Sequence, residues 1–439
     1  MTTRTIRRSR QRHWDAATRK EHRMNTKRNA TAGTLVLLSL ACGGMPLSWA
    51  GDDAQAGAPA CKYCPEPADW SAWIQGGMSY RSEDAFRAGR FDGGTDQGVG
   101  LSLSGSARHN GPHGRFLEVE ADDLGQDGRE VRIEGGRQGM FSATLDYQGR
   151  PNNDRSGGVT PYSDNGGVLT LPATWVWASD TSGMTSLPAS LQSANIKTKR
   201  DQFGTSFSLT PTRHWELSGL YRRDMRDGNK DTGATFGFGQ TAILAAPVED
   251  QTDTLGLALG YTGERFQARL AYDGSLYSND RRSLNWQNAY VATGDPTGFG
   301  QMATAPDNQF HQISASLGVD VLESTRVTGQ VALGRMTQNE ALLAYSVNPT
   351  YAALVLPTSS AEGEVATTLA RLEVNSRPMP RLTLNAGYTY SDRDNDTPQN
   401  TYTFVLTDLG MNPYTATNLP YSFEQQLWRA KAAYRVGNT

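Results

Sequence analysis

Cysteine is nearly absent from this chain: three occur in 439 residues, too few for a disulfide-dense scaffold or a set of thiolate metal ligands. Long apolar runs are missing too. After residue 50 no stretch approaches the ~20 consecutive apolar residues of a membrane-spanning helix, which excludes a helical membrane protein with several spans. Charge of one sign is lacking as well, since 42 Lys and Arg stand against 45 Asp and Glu, interleaved rather than blocked, for a net charge of −3. That balance indicates neither nucleic acid nor a strongly charged ligand. Histidine is sparse: besides His13 and His22 there are only His109, His113, His214 and His311, at no metal-ligand spacing. His109 and His113 flank Asn110-Gly-Pro112, a hairpin turn, where solvated imidazoles are expected. No Gly-x-Ser-x-Gly elbow and no phosphate loop occurs, and the paired carboxylates Asp122 and Asp123 lie beside a turn. A Ser, His and acidic residue gathered at one rim is equally missing, so the chain reads as no enzyme.

What is present begins at the N-terminus. Lys27 and Arg28 precede an apolar stretch from Ala30 to Ala41, and Ser48-Trp49-Ala50 supplies small residues for cleavage. Residues 1–50 therefore read as an export signal, with Met24 the more ordinary start. Arg7-Arg8 lies too far from the apolar stretch to act as a twin-arginine address, and cleavage after Ala50 fits better than lipidation of Cys42. Residues 51–69 form a short Ala/Gly/Pro segment holding Cys61 and Cys64. Two cysteines at that spacing in an exported chain form a disulfide staple, exchange thiols with a partner, or bind metal with ligands from elsewhere. A covalently attached haem is excluded, because Pro65 stands where the histidine would be required.

From Trp70 to Thr439 the chain turns to runs of about ten residues with alternating polarity. In Leu382-Thr-Leu384-Asn-Ala386-Gly-Tyr388-Thr-Tyr390 every even position is apolar, and the same rhythm runs through Trp215, Leu217, Gly219 and Tyr221, through Leu255, Leu257, Leu259 and Tyr261, and through Phe266, Ala268, Leu270 and Tyr272. The opposite positions carry charge: Glu118 and Glu120, then Arg429, Lys431 and Arg435. A sandwich core could not hold these groups, since an unpaired buried charge costs as much as folding yields. Loop lengths separate the remaining possibilities. Brief turns near Arg137, Pro211, Gly263, Glu323 and Pro378 alternate with long connections near 150–200, 227–250, 281–306, 340–360 and 396–420. Short turns on one side and long loops on the other mark an outer-membrane barrel, an all-β, antiparallel transmembrane fold of about 14 strands here. Tyr147, Tyr221, Tyr272, Tyr277, Tyr388 and Tyr390 fall at strand ends and are expected to form a girdle at the lipid headgroups. The end at Val436-Gly-Asn-Thr439, directly after a strand, leads us to expect a fragment of a larger barrel that lacks its last strands.

Several segments together resemble one family. Cys-x-x-Cys after the signal is followed by Phe86-Arg-Ala-Gly89-Arg-Phe-Asp-Gly93 and Gly98-Val-Gly-Leu101, then by Tyr388-Thr-Tyr390-Ser-Asp392-Arg393-Asp394-Asn395-Asp-Thr397-Pro398. Pro420-Tyr421-Ser-Phe423 leading to Tyr434-Arg435 continues the likeness, which spans most of residues 60–436 and closely resembles the MtrB/PioB family of decahaem-associated outer-membrane proteins. The resemblance implies a large porin-like barrel that sheathes a periplasmic multihaem c-type cytochrome, with room for an outer-surface multihaem cytochrome, and carries electrons across the outer membrane. Haem c would then belong to the cytochrome, with no cofactor bound by this chain. Glu118, Glu120, Arg269, Asp273, Arg429, Lys431 and Arg435 are expected on the inner wall, some touching the cytochrome. A general diffusion porin for small solutes is the alternative.

Overall fold

The computed structural model describes residues 69–82, 97–155, 158–194, 196–237, 240–291, 298–404 and 414–437. The export signal, Cys61 and Cys64, and the segment Phe86–Gly93 lie outside these residues.

Fourteen strands form one antiparallel sheet, each paired with the next in sequence. They are β1 (Asp69–Arg81), β2 (Gly98–Asn110), β3 (Arg115–Leu124), β4 (Glu130–Arg137), β5 (Phe141–Arg155), β6 (Ile196–Thr212) and β7 (Trp215–Gly237), followed by β8 (Gln240–Thr262), β9 (Phe266–Asn279), β10 (Asn308–Leu322), β11 (Thr325–Gln338), β12 (Gly363–Met379), β13 (Leu382–Asn395) and β14 (Phe423–Tyr434). Two-residue periodicity puts alternate side chains on opposite faces, and paired residues share a face. Among the described residues β1 and β14 do not pair with each other.

One edge of the sheet carries only tight turns, between β2 and β3, β4 and β5, β6 and β7, β8 and β9, β10 and β11, and β12 and β13. The first is closed by His113 and Gly114 at φ 61° and 72°, the left-handed conformation that lets Gly111-Pro112-His113-Gly114 reverse the chain. At the opposite edge the connections after β5, β9, β11 and β13 are long. One expected long loop is instead strand. β7 and β8 are 23 residues each and pair, through a register shift after Thr235, up to Gly237 and Gln240. Their outer halves stand clear of β6 and β9, whose pairing stops at Gly228 and Asp250. Asp227-Gly-Asn-Lys-Asp-Thr-Gly has loop composition, but the partner strand Ala242-Ile-Leu-Ala-Ala-Pro-Val gives it a ladder to join.

A row of paired residues shows how the strands lean. From Trp70 it passes through His109, Leu117, Gly135, Ala143, Phe207, Gly219, Leu257, Tyr272, Ile313, Leu333, Thr368 and Asp392 to Glu424. Trp70 stands at the tight-turn end of β1, whereas Glu424 stands at the far end of β14, ten residues from Tyr434. With the usual rise per residue and strand spacing, that stagger corresponds to strands tilted by roughly 30°.

The buried core lies outside this wall. Tyr162, Leu169, Leu171, Trp175, Met184, Leu284, Trp286, Ala289 and Tyr290, from the connections after β5 and β9, pack on Ala234, Leu244 and Ala246 of the β7–β8 hairpin. A small four-stranded sheet, Ser163–Asn165, Val168–Thr170, Ser283–Gln287 and Phe299–Ala303, ties the two connections together. Trp175 Nε1 and Trp177 Nε1 donate to the carbonyls of Ala289 and Asn288 at 2.9 and 3.0 Å. We call this unit the cap. Ala234, Leu244 and Ala246 alternate in phase with Arg222 and Arg226, so the cap covers the polar side of the hairpin.

Candidate functional site: the two faces of the wall

One face of the sheet carries an apolar band that crosses all fourteen strands. It carries Ile74 and Met78 on β1, Leu257 and Leu259 on β8, Leu270 on β9, Ile313 and Leu317 on β10, Val331 and Leu333 on β11, Leu372 on β12 and Trp428 on β14. Among the described residues nothing covers these side chains: Ile74 is 77% exposed, Leu270 54% and Trp428 73%. Leaving such groups in water forgoes ~1.5–3 kcal/mol each. A continuous apolar band of this kind is matched by the hydrocarbon of a membrane.

Aromatic residues edge the band. At the tight-turn rim Trp70 stacks on His109 with centroids 4.5 Å apart, and Tyr261 touches His214, Trp215 and Phe266 at 5.8, 5.0 and 5.7 Å. At the other rim the tyrosine hydroxyls reach polar groups on the same face. Tyr147 donates to Asp201 at 2.5 Å, Tyr221 to Asp253 at 2.7 Å, and Tyr272 meets His311 Nδ1 at 2.8 Å. Arg223 clamps the Asp253 carboxylate through two bonds of 2.8 and 3.0 Å. The band thus ends in rings with apolar bodies and wet tips, as interfacial girdles do. Tyr388 and Tyr390 share this face. Tyr277 does not: it pairs with Thr252 and Asn308 on the polar side, beyond the bulk of the band, because its odd position is out of phase with Tyr272.

The other face holds the expected inner-wall residues. Glu118 and Glu120 on β3 adjoin Glu134 and Arg132 on β4, where Arg132 Nη2 donates to Glu134 at 2.7 Å. Arg269 and Asp273 project from β9 on the same side, opposite Ser316 and Gln312. Arg429 and Lys431 follow on β14. Arg435 lies one residue beyond β14, where its N–H bonds the Arg381 carbonyl at 2.9 Å. The wall therefore places these residues on one side but in three separate groups, on β3, β9 and β14. Reading single strands missed the cross-strand pairs on this face: Arg200–Asp224 and Arg226–Asp250, each 2.5 Å, and Arg326–Asp320 at 2.9 Å. It also missed Arg371, although it alternates with the apolar Ala370 and Leu372, and Arg393, which stands between Asp392 and Asp394. Small residues intervene, with Ala258, Ala271 and Ala332 buried on this side. Among the described residues no three His, Cys, Asp or Glu side chains converge where they could hold a metal ion.

Residues 80–439 match the profile of the outer-membrane β-barrel porins MtrB/PioB. The outer membrane protein MtrB of Shewanella baltica (strain OS185) is 31% identical over 379 residues, covering 86% of this chain and 53% of that protein. The chain thus spans about half the length of this curated relative. Among solved structures, OmpT of Vibrio cholerae covers 83% of this chain, and 96% of itself, at 11% identity and a TM-score of 0.30. The anion-selective porin of Comamonas acidovorans covers 83%, and 99% of itself, at 10% identity and a TM-score of 0.23. These overlays are too loose to distinguish one barrel type from another.

Proposed function

Since this chain belongs to the MtrB/PioB family of outer-membrane β-barrel porins, we propose that it sheathes a periplasmic multihaem c-type cytochrome and so enables electrons to cross the outer membrane. The observation that supports this reading best is the charged side of a wall whose other side is continuously apolar. An electron conduit requires insulation towards lipid and a polar lining against the protein that carries the redox centres. The chain itself supplies no redox group in this reading; haem c belongs to the cytochrome, whose outer end would pass electrons to or from an outer-surface multihaem cytochrome. Glu118, Glu120, Arg269, Asp273, Arg429 and Lys431 line the lumen and meet the cytochrome in part, with Arg435 at the periplasmic rim. Cys61 and Cys64 act before that stage, as a disulfide or thiol pair during assembly.

The test is affinity purification of the barrel from outer membranes in mild detergent, followed by haem staining. A covalent haem protein should accompany it in near-stoichiometric amount. A barrel that brings down no haem protein, yet conducts small ions freely in liposomes, would establish the diffusion porin instead.

A further inference from the structure

The charges of the polar face are sorted along the sheet. In its middle they are matched, as Arg200–Asp224, Arg226–Asp250 and Arg326–Asp320 show. Towards one end they are acidic. β3 and β4 turn five carboxylates to this face, Glu118, Glu120, Asp122, Glu130 and Glu134, against Arg132, and the flanking strands add Arg108 opposite Glu118, Asp146 opposite Arg132, and Arg150, so acids outnumber bases there six to three. Their register sets like against like, with Glu118 opposite Glu134 and Asp122 opposite Glu130. Directly opposed like charges destabilise a strand pair, and although Arg108 faces Glu118 from β2, the β3–β4 register itself gains nothing from this arrangement. Towards the other end the face is basic. Arg371 on β12, Arg393 on β13, and Arg429 and Lys431 on β14 face the same side, with Glu373 the one acid among them. None of these four bases forms an ion pair among the described residues, in contrast to the matched middle strands.

A wall that neutralises its charges in the middle and leaves opposite excesses at two separated places is built to meet an object with the reverse distribution. Like-charge contact excludes the other orientations, while opposite charges steer entry. We infer that the lumen fixes the rotational position of its cytochrome: a basic side of that protein faces β3 and β4, and an acidic side faces β12 to β14. This inference rests on the sheath reading. Its consequence is that the haem chain leaves the barrel at one constant azimuth relative to the cap, rather than at any angle about the barrel axis.

The experiment uses the intact barrel in its own outer membrane. Ser106 lies opposite Glu120, and Asn385 lies opposite Lys431, so a photo-crosslinking residue at each samples one charged region without removing its charges. The Ser106 probe should label a lysine-rich segment of the cytochrome, and the Asn385 probe a different segment rich in Asp and Glu. In parallel, E118K/E120K/E134K and R429E/K431E should each lower the cytochrome retained at moderate salt by roughly tenfold or more, as expected for lost and inverted charge pairs. The neutral set E118Q/E120Q/E134Q should fall between these and the unaltered barrel, and heat-modifiable gel mobility confirms that each variant is folded. If both probes label the same peptides in equal yield, or both reversals retain cytochrome as the unaltered barrel does, a fixed orientation is wrong and the sheath stands. If the unaltered barrel retains no cytochrome at all, the sheath reading fails, and the orientation with it.

Discussion

The wall and the cap are made by one chain for two solvents. In the wall, large apolar side chains such as Leu270 and Trp428 stand bare on one face, and stability comes from the backbone ladder between successive strands and from surrounding lipid. In the cap the relation inverts: Leu244 is fully buried, and Trp175 and Tyr290 sit inside a cluster with their polar atoms bonded to carbonyls. Burying apolar surface therefore organises only the part of the molecule that lies in water. The cap should accordingly melt as a small soluble domain does, without loss of the wall.

Trp175→Ala sharpens that contrast most. It empties the cap core and removes the bond to Ala289, and should cost about 3–5 kcal/mol. Limited proteolysis should then cut within 158–194 and 280–307 while the heat-modifiable mobility of the wall persists. Next comes a charge on the lipid side. Leu317→Arg should cost ~2–4 kcal/mol near the middle of the band, while Gln312→Arg on the same strand, facing Asp273, should cost almost nothing. Urea titration of the two variants in liposomes checks this, and equal losses would break the assignment of faces. Smaller still is Tyr162→Phe. The Tyr162 hydroxyl is buried without a hydrogen-bond partner among the described residues, so its removal should leave the cap unchanged or stabilise it by about 1 kcal/mol.

Proton linkage separates the regions further. Burial in the cap, with a smaller contribution from Tyr290, pushes the Tyr162 phenol above the ordinary tyrosine range. Its contribution is therefore intact below the unfolded value of about 10 and is lost as pH rises towards the folded one. Alkaline titration should unfold the cap before Tyr162 ionises, and the Phe variant should lack that component. At the acid end the effect is weakest. The Ser182 hydroxyl and the backbone N–H groups of Ser182 and Gly183 hold the exposed Asp180 carboxyl below its usual range. That turn loses support as pH falls through the folded value, which amide exchange at Ser182 and Gly183 would register.

The same division decides what the sequence could tell. Leu382 to Tyr390 alternates strictly, and the wall requires only that rhythm and tight turns, both local signals. The cap joins Leu169, Leu244 and Trp286, which lie in three separate stretches of chain, and no local pattern announces such a meeting. Composition misled where a ladder overrode it, as in Asp227 to Gly233, and phase misled at Tyr277, an aromatic at a strand end on the wrong face. In the candidate site, alternation was enough to place Glu118, Arg269 and Lys431 on one side. Which charges are neutralised depends on register: Arg200 meets Asp224 from a neighbouring strand, while Arg429 meets glycine across from it.

The leaning row from Trp70 to Glu424 works as a depth gauge written into the protein. Each step to the next strand along it climbs a little, so positions that are neighbours by hydrogen bonding lie at graded distances from the periplasm. Environment-sensitive labels at Leu117, Leu257 and Leu333 would sample successive layers of one bilayer. A single-residue insertion within a strand would displace the scale for every strand beyond it, and the apolar band with it.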